Sequence, residues 1–223
     1  MLLIIARSFR DMSSAETESL GEIFVVDDDP AIRDLLALLF SRRGYKVACF
    51  ADGANLSNAM RTHSPTCILL DVHIPGASGI DILKELNAQN HPAPVFIISG
   101  RGDIPMAVDA IKSGALDFIE KPFRGSEVVE RVEEAIAADC RRKREWPRGP
   151  SYQFYFPGSE PLTAREQEVL ALLMTGATNK AAGKQLGISH RTIEIHRARI
   201  MEKLGAKSAA DMIRIAITEN RAH

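Results

Sequence analysis

Disulfide chemistry has little to work with in this sequence. Its three cysteines, Cys49, Cys67 and Cys140, lie far apart in 223 residues and show no C-x-x-C spacing. That excludes a disulfide scaffold and a paired-thiol metal motif, and implies reduced thiols. Two of the three are expected in a core and the third beside a linker. No apolar run approaches the roughly 20 residues that a membrane span requires. The opening Leu2-Leu3-Ile4-Ile5-Ala6 is shorter than a signal-peptide core, and its basic residues follow it instead of preceding it. A cytoplasmic protein with no membrane partner is the expectation. Internal repeats and low-complexity tracts are absent as well, which excludes solenoids and repeat arrays. Net charge is nearly absent, at −1, but the average conceals unlike segments. Residues 1–139 hold 13 basic against 21 acidic side chains, residues 140–159 hold 5 against 1, and residues 160–223 hold 10 against 7. An acidic front and a basic back are suited to different partners, the back to nucleic acid.

Apolar patterning divides the chain further. From Glu22 short apolar runs alternate with helical spacing. Strands are expected at 23–26, 45–50, 66–70, 95–98 and 117–119, with helices at 31–42, 54–62, 79–87, 104–113 and 126–142. Strands that are apolar throughout belong to a parallel sheet covered on both faces. Five such units predict an α/β doubly wound, five-stranded parallel sheet of the flavodoxin-like kind, whose site lies at the carboxyl ends of the strands. Residues 1–21 are expected to be a disordered leader, with Met12 as an alternative start, and 22–139 the first domain. Residues 140–160, rich in Pro, Gly and Arg, form a linker with an aromatic run able to pack on either domain. Residues 161–223 are all helix, at 163–175, 178–186, 189–204 and 208–219, with Gly176, Gly187 and Gly205 as stops.

Chemistry-bearing residues gather where the strands end. Asp27-Asp28-Asp29 follows the first strand, Asp71 ends the third, Ser99 the fourth, and Lys121-Pro122 follows the fifth. Clustered carboxylates repel one another, and a divalent cation such as Mg²⁺ relieves that repulsion. A carboxylate in such a place can attack a phosphoryl donor and form an acyl phosphate. A hydroxyl and an ammonium are suitable partners for the charge that arrives.

The runs Val25-Val26-Asp27-Asp28-Asp29, Leu69-Leu70-Asp71-Val72-His73-Ile74-Pro75-Gly76, Ile98-Ser99-Gly100-Arg101-Gly102-Asp103 and Asp117-Phe118-Ile119-Glu120-Lys121-Pro122-Phe123 resemble the receiver domain of FixJ-type response regulators across the whole domain. The resemblance implies that Asp71 is the phosphoacceptor. It implies a Mg²⁺ held by Asp27, Asp28, Asp71 and the backbone carbonyl of His73. Ser99 and Lys121 would hold phosphoryl oxygens, Phe118 would be the switch aromatic, and Lys121-Pro122 a cis bond. His73 and Arg101, each two residues beyond a site residue, would flank the hydrolytic water and tune the lifetime of the phosphoryl group.

The last 63 residues are read independently. Helix, glycine turn, helix is the unit whose second helix enters the major groove. Ser189 can cap that helix. Ile193, Ile200 and Leu204 share its core face, whereas Arg191, Ile195, Ala198, Arg199 and Glu202 lie opposite with Glu194 at the border. Arg suits guanine or phosphate, Glu a cytosine amine and Ile a thymine methyl. Thr192, His196 and Lys203, with Lys180 on the preceding helix, are placed for the backbone of the duplex. Leu186-Gly187-Ile188-Ser189, Arg191-Thr192-Ile193-Glu194 and Met201-Glu202-Lys203-Leu204-Gly205 resemble the LuxR/FixJ-type four-helix DNA-binding domain. Gly183 stands where that family has Ala, so the first helix of the pair is expected to be marginal by about 1 kcal/mol.

Together the resemblances imply a transcription factor that accepts a phosphoryl group from a sensor histidine kinase and pairs through the 104–113 helix and the strand after it. The homodimer would bind a roughly palindromic site, with RNA polymerase a candidate partner. No substrate-pocket signature remains for a metabolic enzyme. A phosphate sink with a degenerate output domain finds support only in Gly183, and a vestigial receiver is opposed by the complete acid, hydroxyl and lysine set.

Overall fold

The computed structural model describes residues 19–88, 93–100, 104–145 and 154–219. The first domain contains β1 (Glu22–Val26), α1 (Pro30–Ser41), β2 (Lys46–Phe50), α2 (Gly53–Ala59), β3 (Cys67–Asp71), a small hairpin of β4 (His73–Ile74) and β5 (Ala77–Ser78), α3 (Gly79–Ala88), β6 (Val95–Ser99), α4 (Ile104–Lys112), β7 (Asp117–Glu120) and α5 (Gly125–Glu145). The main sheet has five strands in the order β2-β1-β3-β6-β7, and all its pairings are parallel. Strand residues alternate between two faces. Phe24, Leu70 and Ile97 pack with Leu83 and Ala107 on one side. Ile23, Leu69 and Phe96 pack with Leu36, Phe40 and Val132 on the other. Strand order reverses between β1 and β3, so the loops after them flank the crevice where such sheets bind ligands.

Helix α1 starts sharply because Pro30 occupies its first turn and the Asp29 carboxylate accepts from the Ala31 N–H at 2.8 Å. The hairpin β4–β5 was not expected from the pattern; two-residue strands carry no periodicity. Leu20, within the leader expected at 1–21, is tied to the domain instead, since its N–H donates to the Gly44 carbonyl at 3.1 Å. Of the leader expected at 1–21, residues 1–18, Met12 included, lie outside the described residues. At the other end α5, expected to reach 142, runs on to Glu145, so the basic cluster Arg141–Arg144 lies on the end of that helix and the linker expected from 140 starts later. Cysteine placement also differs from expectation. Only Cys67 is buried, because Cys49 sits on the edge strand β2 and is exposed, as is Cys140.

The second domain contains α6 (Ala164–Met174), α7 (Asn179–Leu186), α8 (His190–Leu204) and α9 (Ala209–Glu219). Side chains cap the first three. Thr163 and Glu166 form a reciprocal capping box, Thr178 accepts from the Ala181 N–H, and Ser189 accepts from the Thr192 N–H. Leu170, Ile193, Ile200 and Met212 form the core, and Phe154 and Phe156 stack with ring centroids 6.4 Å apart against it. Phe154 and Phe156 of the aromatic run thus belong to the second domain's core. Gly183 has a packing reason that corrects the expectation of a merely weak helix: a Cβ there would stand 2.6 Å from the Ile188 carbonyl oxygen. The tight turn into α8 needs that approach, because the Ile188 N–H donates to the Gly183 carbonyl at 2.9 Å.

Candidate functional site

The ends of β1, β3 and β7 bring three of the expected residues into direct contact. Lys121 Nζ donates to Asp27 Oδ2 at 2.7 Å and to Asp71 Oδ2 at 2.6 Å. Burial pushes the Asp27 carboxyl above its ordinary range, against the pull of the Lys121 bond. Burial works against the Lys121 ammonium too, but its bonds to Asp27 and Asp71 outweigh it and hold its pKa above the ordinary value. Ligand oxygens of Asp27, Asp28 and Asp71 lie within 4.8 Å of one another. Three hard oxygen donors around one point fit a divalent cation, which would supply charge neutralisation there. Asp28 is the exposed member, open to water. The His73 N–H donates to Asp71 Oδ1 at 3.0 Å, which orients the carboxylate from its own chain.

One residue of this pocket escaped the sequence reading. Arg33, one turn into α1, donates to the carbonyls of Asp27 and Asp28 at 2.7 and 2.9 Å. It fixes the backbone of the acidic loop, and its only sequence signal is a cation shortly after an acid cluster. Ser99 is wholly buried at the end of β6, with its hydroxyl 3.4 Å from Met106 Sδ on α4. Phe118 is buried in the cluster that contains Ala107 and Ala110 of α4, with Met106 packed against it. The Lys121-Pro122 bond is cis. Arg101 lies outside the described residues.

Helix α8 does not face solvent along its whole length. Its first turn rests on the first domain, beside α4 and β7. Asp117, fully buried at the start of β7, accepts from the Ser189 N–H at 3.0 Å, from the Ser189 hydroxyl at 3.0 Å and from the Thr192 hydroxyl. Arg131 on α5 balances its charge, bonding the Asp117 carboxylate and the Phe118 carbonyl. Ile195 packs against the core cluster that contains Phe118. Gly187 presses on α5, where a Cβ would stand 2.7 Å from Ala135 Cα. Beyond these contacts the domains part around a cleft of about 1380 Å³. Asp117 and Arg131 were missed because a buried acid opening an apolar strand reads as an ordinary strand end.

The expected DNA residues therefore fall into groups. Lys180, Glu194 and Ala198 are exposed. Arg191 is half-exposed and 4.0 Å from Glu120, a surface pair worth little. Arg199 is bonded to Glu202 and Glu160. Thr192 and Ile195 are covered by the first domain. His196 and Lys203 depart from expectation, because in this arrangement neither offers its polar group to a duplex. Lys203 Nζ is held by Glu166 at 2.8 Å, Glu160 at 3.1 Å and the Pro161 carbonyl at 3.0 Å.

His196 is 7% exposed and its Nε2 has no hydrogen-bond partner. Burial, with the Arg165 charge adding to it, pushes its pKa from 6.5 down to about 4. Between those values the unfolded chain takes up a proton that the folded chain refuses, so stability present above pH 6.5 is lost as pH falls toward 4. The linked loss approaches about 3 kcal/mol. Thermal unfolding from pH 7 to 4.5 should show this fall, and His196→Gln should flatten it. An unchanged slope in the variant would show that His196 is not its source.

An acid-and-lysine pocket at the switch point of a parallel sheet, coupled to a capped helix-turn-helix, defines a response regulator of transcription. Comparison with known proteins agrees. Residues 23–133 match the response regulator receiver domain, and residues 160–216 match the bacterial regulatory proteins of the luxR family. The chain is 38% identical over 198 residues to the transcriptional regulatory protein FixJ of Bradyrhizobium diazoefficiens, covering 88% of this chain and 95% of that protein. The crystal structure of full-length FixJ from B. japonicum matches 91% of this chain and 98% of its own, with a TM-score of 0.51 and 34% identity. The beryllofluoride-activated NtrC4 receiver domain dimer matches 53% of this chain and 98% of its own, with a TM-score of 0.51 and 26% identity. The protein belongs to the FixJ-type two-component response regulators.

Proposed function

We propose that Asp71 receives a phosphoryl group from a sensor histidine kinase, and that the receiver then releases α8 to bind DNA as a homodimer. The observation that carries this reading is the position of α8. The helix that should enter the groove lies against β7, the strand whose far end delivers Lys121 to the acid pocket.

Asp71 is the nucleophile: one carboxylate oxygen attacks phosphorus, and the donor's leaving group departs. Asp27, Asp28, Asp71 and the His73 carbonyl would hold Mg²⁺, which supplies positive charge to the phosphoryl oxygens when bound. Lys121 is already bonded to Asp71 and needs only to turn to meet the incoming charge. The Ser99 hydroxyl now faces a thioether, a weak acceptor. A phosphoryl oxygen is a far stronger one, so Ser99 has reason to leave Met106. Phe118 lies in the same cluster as the α4 residues and Ile195, so movement there loosens the seat of α8.

The face so vacated, α4 and β7, is also where two receivers would pair. That a relative's activated receiver is a dimer supports the same reading. One face cannot serve both contacts, so closure and pairing exclude each other. Two paired output domains suit a roughly palindromic site, with RNA polymerase a further partner. No helix among the described residues is long and apolar enough to cross a membrane, and the protein acts in the cytoplasm as a switch, not as an enzyme of metabolism.

Light scattering in Mg²⁺, with and without a small phosphoryl donor, tests this. The donor should roughly double the mass of the parent and leave Asp71→Asn unchanged. A parent that stays monomeric, or is already dimeric without donor, contradicts phosphorylation-driven pairing.

A further inference from the structure

We propose that the cleft between the two domains is a binding site for a small carboxylate with an apolar body, and that this ligand holds the domains together. The cleft has about 1380 Å³. Ordinary ligand pockets have roughly 300–1,000 Å³ and occur preferentially at domain interfaces. This one opens at the amino ends of the strands, beside Val95 at the start of β6 and Leu116 before β7. In a parallel sheet that is the edge opposite the acid pocket, so an occupant does not touch Asp71. The apolar lining comes from both sides. Val95, Ile111 and Leu116 belong to the receiver, and Leu172, Leu186 and Ile195 to the output domain. Neither domain alone supplies the site.

Charge decides the head group. Three acids of the lining already hold cations: Glu168 has Arg165 at 2.7 Å, Glu166 has Lys203 at 2.8 Å and Glu160 has Arg199 at 3.2 Å. The fourth, Asp139, has a partner of its own. Lys112 at the end of α4 and Arg141 on α5 are exposed cations of the same lining, and neither has an ion-pair partner among the described residues. Cations beside an apolar wall suit a carboxylate whose hydrocarbon lies along that wall. His196 adds an unmet group. It lines the cleft, is 7% exposed, and its Nε2 has no hydrogen-bond partner. Buried polar atoms are nearly always bonded, and a ligand's polar group beside this ring would give the nitrogen its bond. Because the walls come from different domains, the ligand binds the closed form and not the open one. At ten times its Kd it raises the closed-to-open ratio about elevenfold, and so acts as an inhibitor of DNA binding.

The test uses the full chain, decanoate as the probe and decanol as its uncharged counterpart. Calorimetry should show one decanoate per chain with a Kd below about 1 mM, and decanol should bind about tenfold or more weakly. Lys112→Glu combined with Arg141→Glu changes only exposed side chains, so the fold should persist, and it should weaken decanoate about tenfold or more. A short random-sequence DNA duplex, followed by fluorescence anisotropy without phosphoryl donor, reads the consequence. Decanoate at ten times its Kd should weaken duplex binding by the parent about tenfold, and at that concentration should change binding by the double variant about twofold or less. Absence of saturable decanoate binding overturns the proposal. So does binding that the double variant leaves intact, or that decanol matches. Binding at the cleft with unchanged affinity for the duplex overturns the claim that the ligand holds the domains together. No step of this test uses phosphorylation, so its failure and a failure of the switch at Asp71 are distinguishable.

Discussion

Asp71→Asn should incorporate no phosphoryl group from a small donor in Mg²⁺, as read by intact mass. The nucleophile is gone: an amide oxygen does not form an acyl phosphate under conditions where a carboxylate does. The fold should survive. Asn has nearly the same volume, its carbonyl can still accept from Lys121 and from the His73 N–H, and Lys121 keeps Asp27 as a charged partner. Loss of one charge-assisted bond costs about 1.5–3 kcal/mol at most, within the reserve of an ordinary domain. The variant should also bind Mg²⁺ more weakly, with one of the three clustered carboxylates removed. Phosphoryl incorporation that persists in Asp71→Asn would assign the chemistry to another carboxylate, with Asp27 and Asp28 the candidates in the same cluster.

Gly187→Asn should open the protein without touching either site. Gly187 ends α7 at φ +67, in the left-handed region that Asn tolerates better than other residues. The helix stop is therefore retained. The new side chain would meet Ala135 Cα and the Glu134 carbonyl of α5, backbone atoms that cannot step aside. Overpacking of this kind costs about 1–3 kcal/mol. Placed wholly on the closed state, that shifts the closed-to-open ratio by about five- to 150-fold. Small-angle scattering should report a larger radius of gyration without donor, and donor-free DNA binding should rise by a similar factor. Retained compactness with parent-like binding would show that the α5–α7 contact does not hold the domains together.

The acid pocket was legible in the sequence because topology dictates it. In a parallel sheet every strand delivers its carboxyl end to the same edge, so Asp27, Asp71, Ser99 and Lys121 had to become neighbours once the strands were recognised. The Ser189 cap was legible for a local reason, since a cap acts within one turn of its helix. What the sequence concealed depends on contacts between distant surfaces. Asp117 acquires its meaning from Arg131 on one side and from Ser189, 72 residues away, on the other. Neither partner follows from periodicity. Ile195 carried a readable hint, an apolar side chain on the exposed face of a helix, and the thymine methyl was a sufficient explanation until the receiver core cluster appeared against it. The short approaches at Gly183 and Gly187 were likewise hidden, because a glycine that ends a helix and a glycine that admits a neighbour look alike in one dimension.

The central claim is that phosphorylation of Asp71 frees the first turn of α8 from Asp117. Amide hydrogen exchange over residues 187–193 addresses it directly, because the Ser189 N–H is itself bonded to Asp117. With Mg²⁺ and a phosphoryl donor, exchange there should accelerate in the parent and remain slow in Asp71→Asn. Equal protection of this turn before and after a confirmed phosphorylation would contradict the account.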